Sequence, residues 1–341
     1  MGQWSRRRES RPPSCPDRGI ELSHQSSVTS HQAELETEIA GIELEHPVLN
    51  GSGTFDAIAA RRAFGPAYVE RFPFSAFVSK TITPQPRDGN PPPRLSETPA
   101  GMINSIGLPN KGLDGFLASD LPVLAELPVP LIVSVMGRSH EEFTRLVGGV
   151  APRESVAGVE LNVSCPNVES GLIVGEEPEE TLTLVRTLRV LTAKPLIVKL
   201  TPNVADPASV ARAAEQGGAD AVSLINTLKA SAVDPATLRP WLGAGRGGLS
   251  GPAVRAIALE QVGAVASAVE IPVVGMGGIE SGGDALAMIA AGATAVAVGT
   301  ASFRDPLAGE RVRIELGAEL RRAGLSGLGE VRGRASASTS T

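Results

Sequence analysis

The amino-acid sequence predicts an α/β fold, a (β/α)8 TIM barrel, with a small antiparallel excursion over the barrel mouth. Short apolar stretches recur along the chain, each with the length of a buried strand. Helical stretches lie between them, which is typical of a parallel sheet. The strand candidates number eight, the count that closes such a sheet into a barrel. A doubly wound open sheet is the alternative, but no G-x-G-x-x-G turn follows the first strand to support it.

Each predicted element is bounded by proline, glycine or polar residues. The strand candidates are, in chain order, Pro47–Asn50, Phe77–Thr83, Pro130–Met136, Gly158–Ser164, Pro195–Leu200, Ala221–Thr227, Ile271–Met276 and Ala295–Gly299. Helical stretches between them include Pro178–Leu191, Pro207–Gln216, Pro252–Val269 and Gly283–Ala291. The connection from Ile82 to Gly112 is long for a barrel loop and carries the apolar segment Gly101–Asn110. We therefore predict that it folds over the mouth as the antiparallel excursion.

Composition narrows the class of protein. The 341 residues are 42% hydrophobic and include 38 glycines, which suits one large domain of short strands and tight turns. A net charge of −6 weighs against nucleic-acid binding. The two cysteines, Cys15 and Cys165, are too few for an iron–sulfur cluster or a disulfide framework, so a cytoplasmic protein is expected. The sequence contains no run of eighteen apolar residues, so it predicts no membrane span.

The domain prediction is a barrel over residues 37–333 between two disordered tails, residues 1–36 and 334–341. Both tails lack apolar periodicity, and the first contains Arg6–Arg8 and a segment rich in serine and histidine. A transit peptide is the alternative for the first tail, although no clear amphipathic helix supports it.

The fourth strand candidate carries polar residues on one face. Because side chains alternate along a strand, Glu160, Asn162 and Ser164 share that face and need polar partners. Cys165 follows at the strand's C-terminal end, and Pro166 restrains it. A packed core cysteine is the alternative to a functional one.

Other polar residues also fall at the C-terminal ends of the strands, the face where such barrels hold their chemistry. Lys80 and Lys199 lie in apolar strands, and an ion pair of Lys80 with Glu160 is the alternative to ligand binding. Glycine turns follow the seventh and eighth strands, a common phosphate site. Because no histidine lies at the C-terminal end of a strand candidate, Cys165 is the best-placed proton acceptor.

These motifs together resemble the class 1 dihydroorotate dehydrogenases, and they span about residues 40 to 310. The matching segments are Asn50–Phe55, Ser79–Thr81, Gly89–Pro91 with Pro93 and Arg94, Asn104–Leu108, Asn162–Asn167, Ile225–Thr227, Gly247–Gly251, Gly275–Gly278 and Val298–Thr300. The resemblance implies oxidation of (S)-dihydroorotate to orotate in pyrimidine (UMP) biosynthesis, with FMN as hydride acceptor. It also implies that Cys165 is the catalytic base, where class 2 enzymes use serine.

The resemblance further implies two sets of binding residues. For FMN they are Ser52, Lys80, Thr81, Ser134, Asn162, Lys199, Ile225, Gly251, Gly277, Gly278, Gly299 and Thr300. For the pyrimidine they are Lys80, Asn104, Ser105, Ile106, Gly107, Leu108, Asn162, Asn226 and Thr227. Ser134 is a departure, because the NAD-linked branch often has an FMN-contacting asparagine on this strand.

The motifs look closer to the NAD-linked (type 1B) bacterial catalytic subunit than to the fumarate-using branch. The resemblance then implies a homodimer that binds a FAD and iron–sulfur electron-transfer subunit, a heterotetramer in all, with fumarate as the alternative acceptor. The segment Asn167–Glu177 is a candidate lid, because its glycines permit movement.

Three other functions remain possible from the residues alone. A Schiff-base aldolase could use Lys80 or Lys199 but would leave the asparagines without a role. Another FMN-dependent barrel reductase could act on free pyrimidines or on tRNA, although the net negative charge argues against RNA binding. A non-catalytic binding barrel is disfavoured, because its buried polar residues would lower stability without a function.

Overall fold

The computed structural model describes residues 34–65, 71–164 and 174–335. Within them, eight parallel strands follow one another around a single sheet, each followed in the chain by helices that cover its outer face. The strand order is that of a (β/α)8 barrel, so the predicted fold is confirmed.

All eight strand predictions are confirmed in position, with ends that differ by a few residues. The strands of the described chain are β1 (Thr37–Ile39), β2 (Ile42–Leu44), β3 (Val48–Asn50), β4 (Phe77–Val78), β5 (Leu95–Thr98), β6 (Gly101–Asn104), β7 (Leu131–Val135), β8 (Val156–Asn162), β9 (Leu196–Lys199), β10 (Ala221–Leu224), β11 (Leu228–Ala230), β12 (Val233–Asp234), β13 (Arg239–Pro240), β14 (Gly247–Ser250), β15 (Val273–Met276) and β16 (Ala295–Val298). The barrel strands are β3, β4, β7, β8, β9, β10, β15 and β16.

The helices agree with the predictions to within a few residues. They are α1 (Ala57–Phe64), α2 (Gly112–Gly115), α3 (Leu121–Leu124), α4 (His140–Val150), α5 (Pro178–Arg189), α6 (Pro207–Gln216), α7 (Arg255–Ala266), α8 (Gly282–Ala290), α9 (Ala301–Arg304) and α10 (Ala308–Arg322). A π-helical turn, Phe116–Asp120, joins α2 to α3, and a 3-10 turn, Pro252–Val254, precedes α7. The predicted helix Pro252–Val269 is thus shorter at both ends.

The barrel interior has an apolar lower layer. Inward-facing residues such as Leu49, Ile132 and Ile197 form one buried cluster, separate from the larger cluster between strands and helices. The β1–β2 hairpin contributes Ile39 and Ile42 to the same interior cluster, so it closes the N-terminal end of the barrel. The interior is therefore filled by packing at this end, and polar groups are confined to the layers above it.

The Asn50 side chain joins β3 and β4, the two strands at the ends of the sheet order. We call this junction the seam of the barrel. The described strands β3 and β4 form no backbone ladder with each other. Instead, the Asn50 side-chain amide donates to the Val78 carbonyl and accepts from the Val78 N–H, both at 2.8 Å. Asn50 is fully buried, so these two bonds substitute for a missing rung of the ladder.

The antiparallel excursion is confirmed, and half of it comes from a segment that the sequence did not mark as strand. β5 and β6 lie within the predicted excursion and pair antiparallel. β14 then adds to β6, with Gly248 opposite Asn104, and β11 adds to β14. The four strands form one sheet at the C-terminal end of the barrel.

The predicted tails fall mostly outside the described residues. Glu34 forms a parallel bridge to Gly327, and Ala335 donates to the Ala290 carbonyl at 3.0 Å, so each end of the described chain contacts the barrel. Among the helices in the described ranges, none combines the length and the apolar character needed to cross a bilayer.

We predict that Asn50→Leu lowers the free energy of unfolding of the apoprotein by about 2–5 kcal/mol. The leucine is of similar size, but it leaves a buried N–H and a buried carbonyl of Val78 unpaired, at about 1–3 kcal/mol each. Urea denaturation measures the change. Asn226→Leu is the control, because Asn226 faces the cavity and joins no seam, and it should lower stability less. An Asn50→Leu variant as stable as the parent would show that the seam does not need the amide.

Candidate active site

A cavity of about 490 Å³ opens at the C-terminal ends of the barrel strands, beneath the antiparallel sheet. Its size is typical of a cofactor or small-molecule site. It gathers sixteen of the residues proposed from the sequence: Ser52, Lys80, Thr81, Asn104, Ile106, Leu108, Asn162, Lys199, Ile225, Asn226, Thr227, Gly251, Gly277, Gly278, Gly299 and Thr300.

Four proposed residues are not among those that line the cavity. Ser134 is fully buried below the cavity floor, where its hydroxyl contacts the Thr81 hydroxyl at 2.9 Å. Ser105 is buried and its hydroxyl accepts from the Asn90 amide at 3.0 Å. Gly107 has a φ of +78° and forms the turn next to it. Cys165 lies outside the described residues.

Two hydroxyl groups and one amide, from three strand ends, meet at the cavity floor. The Ser52 hydroxyl donates to the Ser79 carbonyl at 2.8 Å and lies 3.1 Å from the Thr81 hydroxyl. The Asn162 amide in turn donates to the Thr81 hydroxyl at 3.3 Å. These contacts fix polar groups that would otherwise rotate, so the floor presents a preorganised row of donors and acceptors.

The end of β8 is held by an asparagine from the loop after β10. The Asn226 amide donates to the Ser164 hydroxyl at 2.9 Å and reaches the Asn162 side-chain oxygen at 3.5 Å. The Asn226 oxygen accepts from the Thr227 N–H at 2.8 Å, which fixes the orientation of the amide. Two asparagines therefore face the same part of the cavity, as the strand-end pattern predicts.

The two cavity lysines lie in different environments. Lys199 is 6% exposed, and its ammonium nitrogen lies 4.0 Å from a Glu160 carboxylate oxygen. Lys80 is exposed to the cavity and, within the described ranges, forms no ion pair. The alternative of an ion pair between Lys80 and Glu160 is therefore wrong, because the carboxylate is engaged by the lysine of the adjacent strand.

Lys80 is the free cation of the cavity in the part of the chain that the structure describes. Partial burial lowers the pKa of its ammonium, opposed by the negative charge of Asp56 and reinforced by the positive charge of Arg94. A partly desolvated ammonium that faces a cavity favours an anionic ligand, because the anion restores the interactions lost with water.

The turn after β15 borders the cavity and has a backbone that requires glycine. Gly277 and Gly278 have φ values of +134° and +74°, which side-chain-bearing residues rarely adopt. The Arg255 guanidinium donates to the Gly278 carbonyl at 2.8 Å and pairs with Asp284 at 2.7 Å, so the turn is braced from below. Nearby, the Thr300 hydroxyl donates to the Ser250 hydroxyl at 2.9 Å.

Gly299, after β16, keeps part of the cavity open. A Cβ atom at this position would lie 3.6 Å from the Thr54 methyl group and would meet no closer protein atom. The glycine is therefore not required by packing against the protein. Because Gly299 lines the cavity, the absent side chain instead leaves space for a ligand close to the backbone.

The apolar walls of the cavity are the part that sequence reasoning missed. Met102 and Leu249 come from the antiparallel sheet, Met136 and Met276 from strand ends, and Phe303 from α9. Phe303 is 57% exposed at the rim. An apolar residue at a strand end looks like core in the sequence, so no signal separated these residues from ordinary packing.

Comparison with known proteins agrees with this geometry. Residues 34–320 match the family model for dihydroorotate dehydrogenase. The catalytic subunit of dihydroorotate dehydrogenase B (NAD(+)) from Geobacter metallireducens is 46% identical over 301 residues, covering 88% of this chain and 97% of the relative. The protein of the same name from Desulforudis audaxviator is 47% identical over 298 residues, covering 87% and 96%.

A solved structure supports the fold alone. The crystal structure of DHODH from Eimeria tenella, in complex with ferulenol, superposes with a TM-score of 0.74 at 24% sequence identity. The match covers 91% of this chain and 90% of that one. The family model and the bacterial relatives, which match over most of the chain, lead to one conclusion: this protein belongs to the dihydroorotate dehydrogenase family.

Proposed function

We propose that this protein oxidises (S)-dihydroorotate to orotate in pyrimidine synthesis, with FMN as its bound hydride acceptor. The observation that carries the proposal is the match to the NAD-linked relatives at 42–47% identity, together with a cavity lined by sixteen of the residues that the motifs predict. Membership of the dihydroorotate dehydrogenase family also removes the support for a Schiff-base aldolase.

The cavity residues fit FMN. The glycine turn at Gly277 and Gly278 would hold the phosphate through backbone N–H groups, and Gly299 leaves the space that a Cβ would fill. Ser52, Thr81 and Lys199 form the floor on which the flavin ring would lie. When bound, FMN would supply the hydride acceptor for the reaction.

Lys80 and the asparagines would hold the substrate. Dihydroorotate carries a carboxylate and a ring of alternating N–H and carbonyl groups. The free Lys80 ammonium suits the anionic part, and the Asn104, Asn162 and Asn226 amides can both donate to and accept from the ring. The Asn104 amide donates to the Gly248 carbonyl at 3.3 Å, so the antiparallel sheet fixes its position over the cavity. Asn104, Ile106 and Leu108 would then form the upper wall.

Cys165 would remove the proton from C5 of the substrate. Its own position lies outside the described residues, and the support is its place in the chain. It directly follows Ser164, which the Asn226 amide holds at the cavity edge. No histidine lines the described part of the cavity, so a thiolate is the best candidate for a base.

A second subunit would carry the electrons onward to NAD⁺. The bacterial relatives are named catalytic subunits of an NAD-linked enzyme. This chain has two cysteines, too few for an iron–sulfur cluster of its own. We therefore propose a homodimer that binds a FAD and iron–sulfur subunit, with fumarate as the alternative acceptor.

Gly299→Ala should weaken FMN binding by about tenfold or more. The added methyl group enters the space reserved for the ligand, and forcing a methyl group into a filled site costs about 1–3 kcal/mol. Flavin fluorescence quenching in the apoprotein measures the dissociation constant. The thermal midpoint of the apoprotein should not fall, because the methyl group meets no protein atom closely.

Gly283→Ala is the matched control, since Gly283 is exposed on α8 and its Cβ would lie 3.8 Å from the Ser281 hydroxyl. It should leave the dissociation constant at the parent value. Equal FMN affinity in the parent and in Gly299→Ala would rule out a ligand at this strand end.

Cys165→Ala should retain FMN and orotate binding but reduce the flavin roughly 10²–10⁴ times more slowly, the usual effect of removing a general base. Cys165→Ser should also be slow near neutral pH, because a hydroxyl is a poorer base than a thiol. Stopped-flow absorbance with dihydroorotate measures the rate. Reduction at the parent rate in either variant would exclude Cys165 as the base.

The purified single chain should turn over with an artificial dye but not with NAD⁺, because it lacks the centres that pass electrons to a nicotinamide. Steady-state assays with dye, fumarate and NAD⁺ in parallel test this. Rapid turnover with fumarate would assign the chain to the other branch. Turnover with NAD⁺ and no second protein would refute the need for a partner.

A further inference from the structure

A carboxylate lies buried in the barrel interior, below the cavity floor. Glu160 on β8 is 3% exposed. The Ser134 hydroxyl donates to one of its oxygens at 3.0 Å, and the Ser223 hydroxyl donates to the other at 3.2 Å. The Lys199 ammonium lies 4.0 Å from the oxygen that Ser134 contacts. Residues from three other barrel strands therefore converge on a single carboxylate.

Lys199 depends on this carboxylate. Among the described residues, Glu160 is the only acidic side chain within ion-pair distance of the Lys199 ammonium. Burying an ammonium group without a partner costs several kcal/mol. Lys199 also lines the cavity. The position of Glu160 therefore determines where the Lys199 ammonium can contact a ligand.

The two serines fix the orientation of the carboxylate. Each binds a different oxygen, so a rotation of the Glu160 side chain would break at least one hydrogen bond. Ser134 is itself held by the Thr81 hydroxyl, which contacts Ser52 on the cavity floor. The carboxylate is thus connected through hydroxyl groups to the residues that would contact the flavin.

We propose that Glu160 is a positioning residue: it holds the Lys199 ammonium at the cavity floor, and through it sets the affinity and the reduction potential of the bound flavin. Ser134 and Ser223 keep the carboxylate in place. The inference rests on the proposed function, because it takes FMN as the ligand of Lys199.

This role accounts for the serine at position 134. By resemblance, Ser134 stands where the NAD-linked branch often has an FMN-contacting asparagine. In the structure the hydroxyl instead points to Glu160 and is fully buried. Ser134 therefore acts on the flavin site through the carboxylate rather than by direct contact.

A double-variant cycle tests whether Glu160 acts through Lys199. The four proteins are the parent, Glu160→Gln, Lys199→Met and the double variant, each prepared as full-length apoprotein and reconstituted with FMN. The dissociation constant of FMN and the midpoint potential of the bound flavin are measured in each. Glutamine keeps the shape of the side chain and can still accept from Ser134, so the change removes mainly the charge.

We expect each single variant to bind FMN about tenfold more weakly or worse, as for the loss of a hydrogen bond to a charged group. The double variant should bind no more weakly than Lys199→Met alone. The midpoint potential should shift in both single variants, and Glu160→Gln should shift it less in the Lys199→Met background than in the parent. Such non-additivity is the signature of residues that act as a unit.

Ser134→Ala and Ser223→Ala provide the same test without removing the charge. Each should change affinity and potential in the same direction as Glu160→Gln, to a smaller extent, and have less effect in the Lys199→Met background. If Glu160→Gln does not fold, Ser134→Ala and Ser223→Ala take its place in the double-variant cycle with Lys199→Met. Asp120→Asn, which breaks the surface ion pair with Lys111, should change neither quantity.

Additive effects in the double variant would overturn the inference, because Glu160 would then act independently of Lys199. An unchanged midpoint potential in folded Glu160→Gln would also overturn it and leave a structural role only. A parent protein that does not bind FMN would overturn the proposed function itself, an outcome that the cycle separates from the first two.

Discussion

A polar side chain buried inside the barrel must find its partners among the other strands, because a buried polar group without a hydrogen bond lowers stability. Glu160 shows the consequence most clearly. Its carboxylate is bound by hydroxyl groups from β7 and β10 and lies beside the ammonium of β9. Leaving such a charge unpaired would be strongly destabilising. The identities of the inward-facing residues on these strands are therefore linked to one another.

Ser134, Glu160 and Ser223 form a polar layer inside the barrel. Its position explains why the candidate active site lies at the C-terminal end of the strands. Below it, the β1–β2 hairpin and aliphatic side chains such as Ile132 fill the barrel. Above it, Thr81, Asn162 and Lys199 face an open cavity. The layer separates the lower part of the interior, which is filled by apolar side chains, from the upper part, which is an open cavity that can bind a ligand. The glycine turns after β15 and β16 border the same cavity, so a phosphate and a flavin ring can be held together.

Much of the fold and of the site could be predicted from the sequence, because both depend on local patterns. The apolar runs of the barrel strands are short and bounded, and the polar residues at their ends point to one face of the barrel. The antiparallel sheet was only half predicted. Its second half, Leu228–Ser250, is rich in glycine and lacks the alternation that indicates a strand.

The features that the sequence did not predict depend on which side chains meet in three dimensions. The partner of Glu160 is Lys199 rather than Lys80, and this follows from which strands are adjacent, not from spacing along the chain. Nothing in the sequence around Asn50 indicates that its side chain joins two strands. Ser134 lies on the correct strand, yet its side chain ends below the cavity. Each case depends on distances of a few ångströms that a linear pattern does not contain.

The most direct test of the proposed oxidation is an anaerobic titration of the FMN-reconstituted protein with dihydroorotate, followed by the visible absorbance of the flavin. We expect the protein to retain FMN and dihydroorotate to bleach the flavin absorbance without any second subunit, with orotate as the product. A protein that does not retain FMN, or whose bound flavin stays oxidised in excess dihydroorotate, would contradict the proposal.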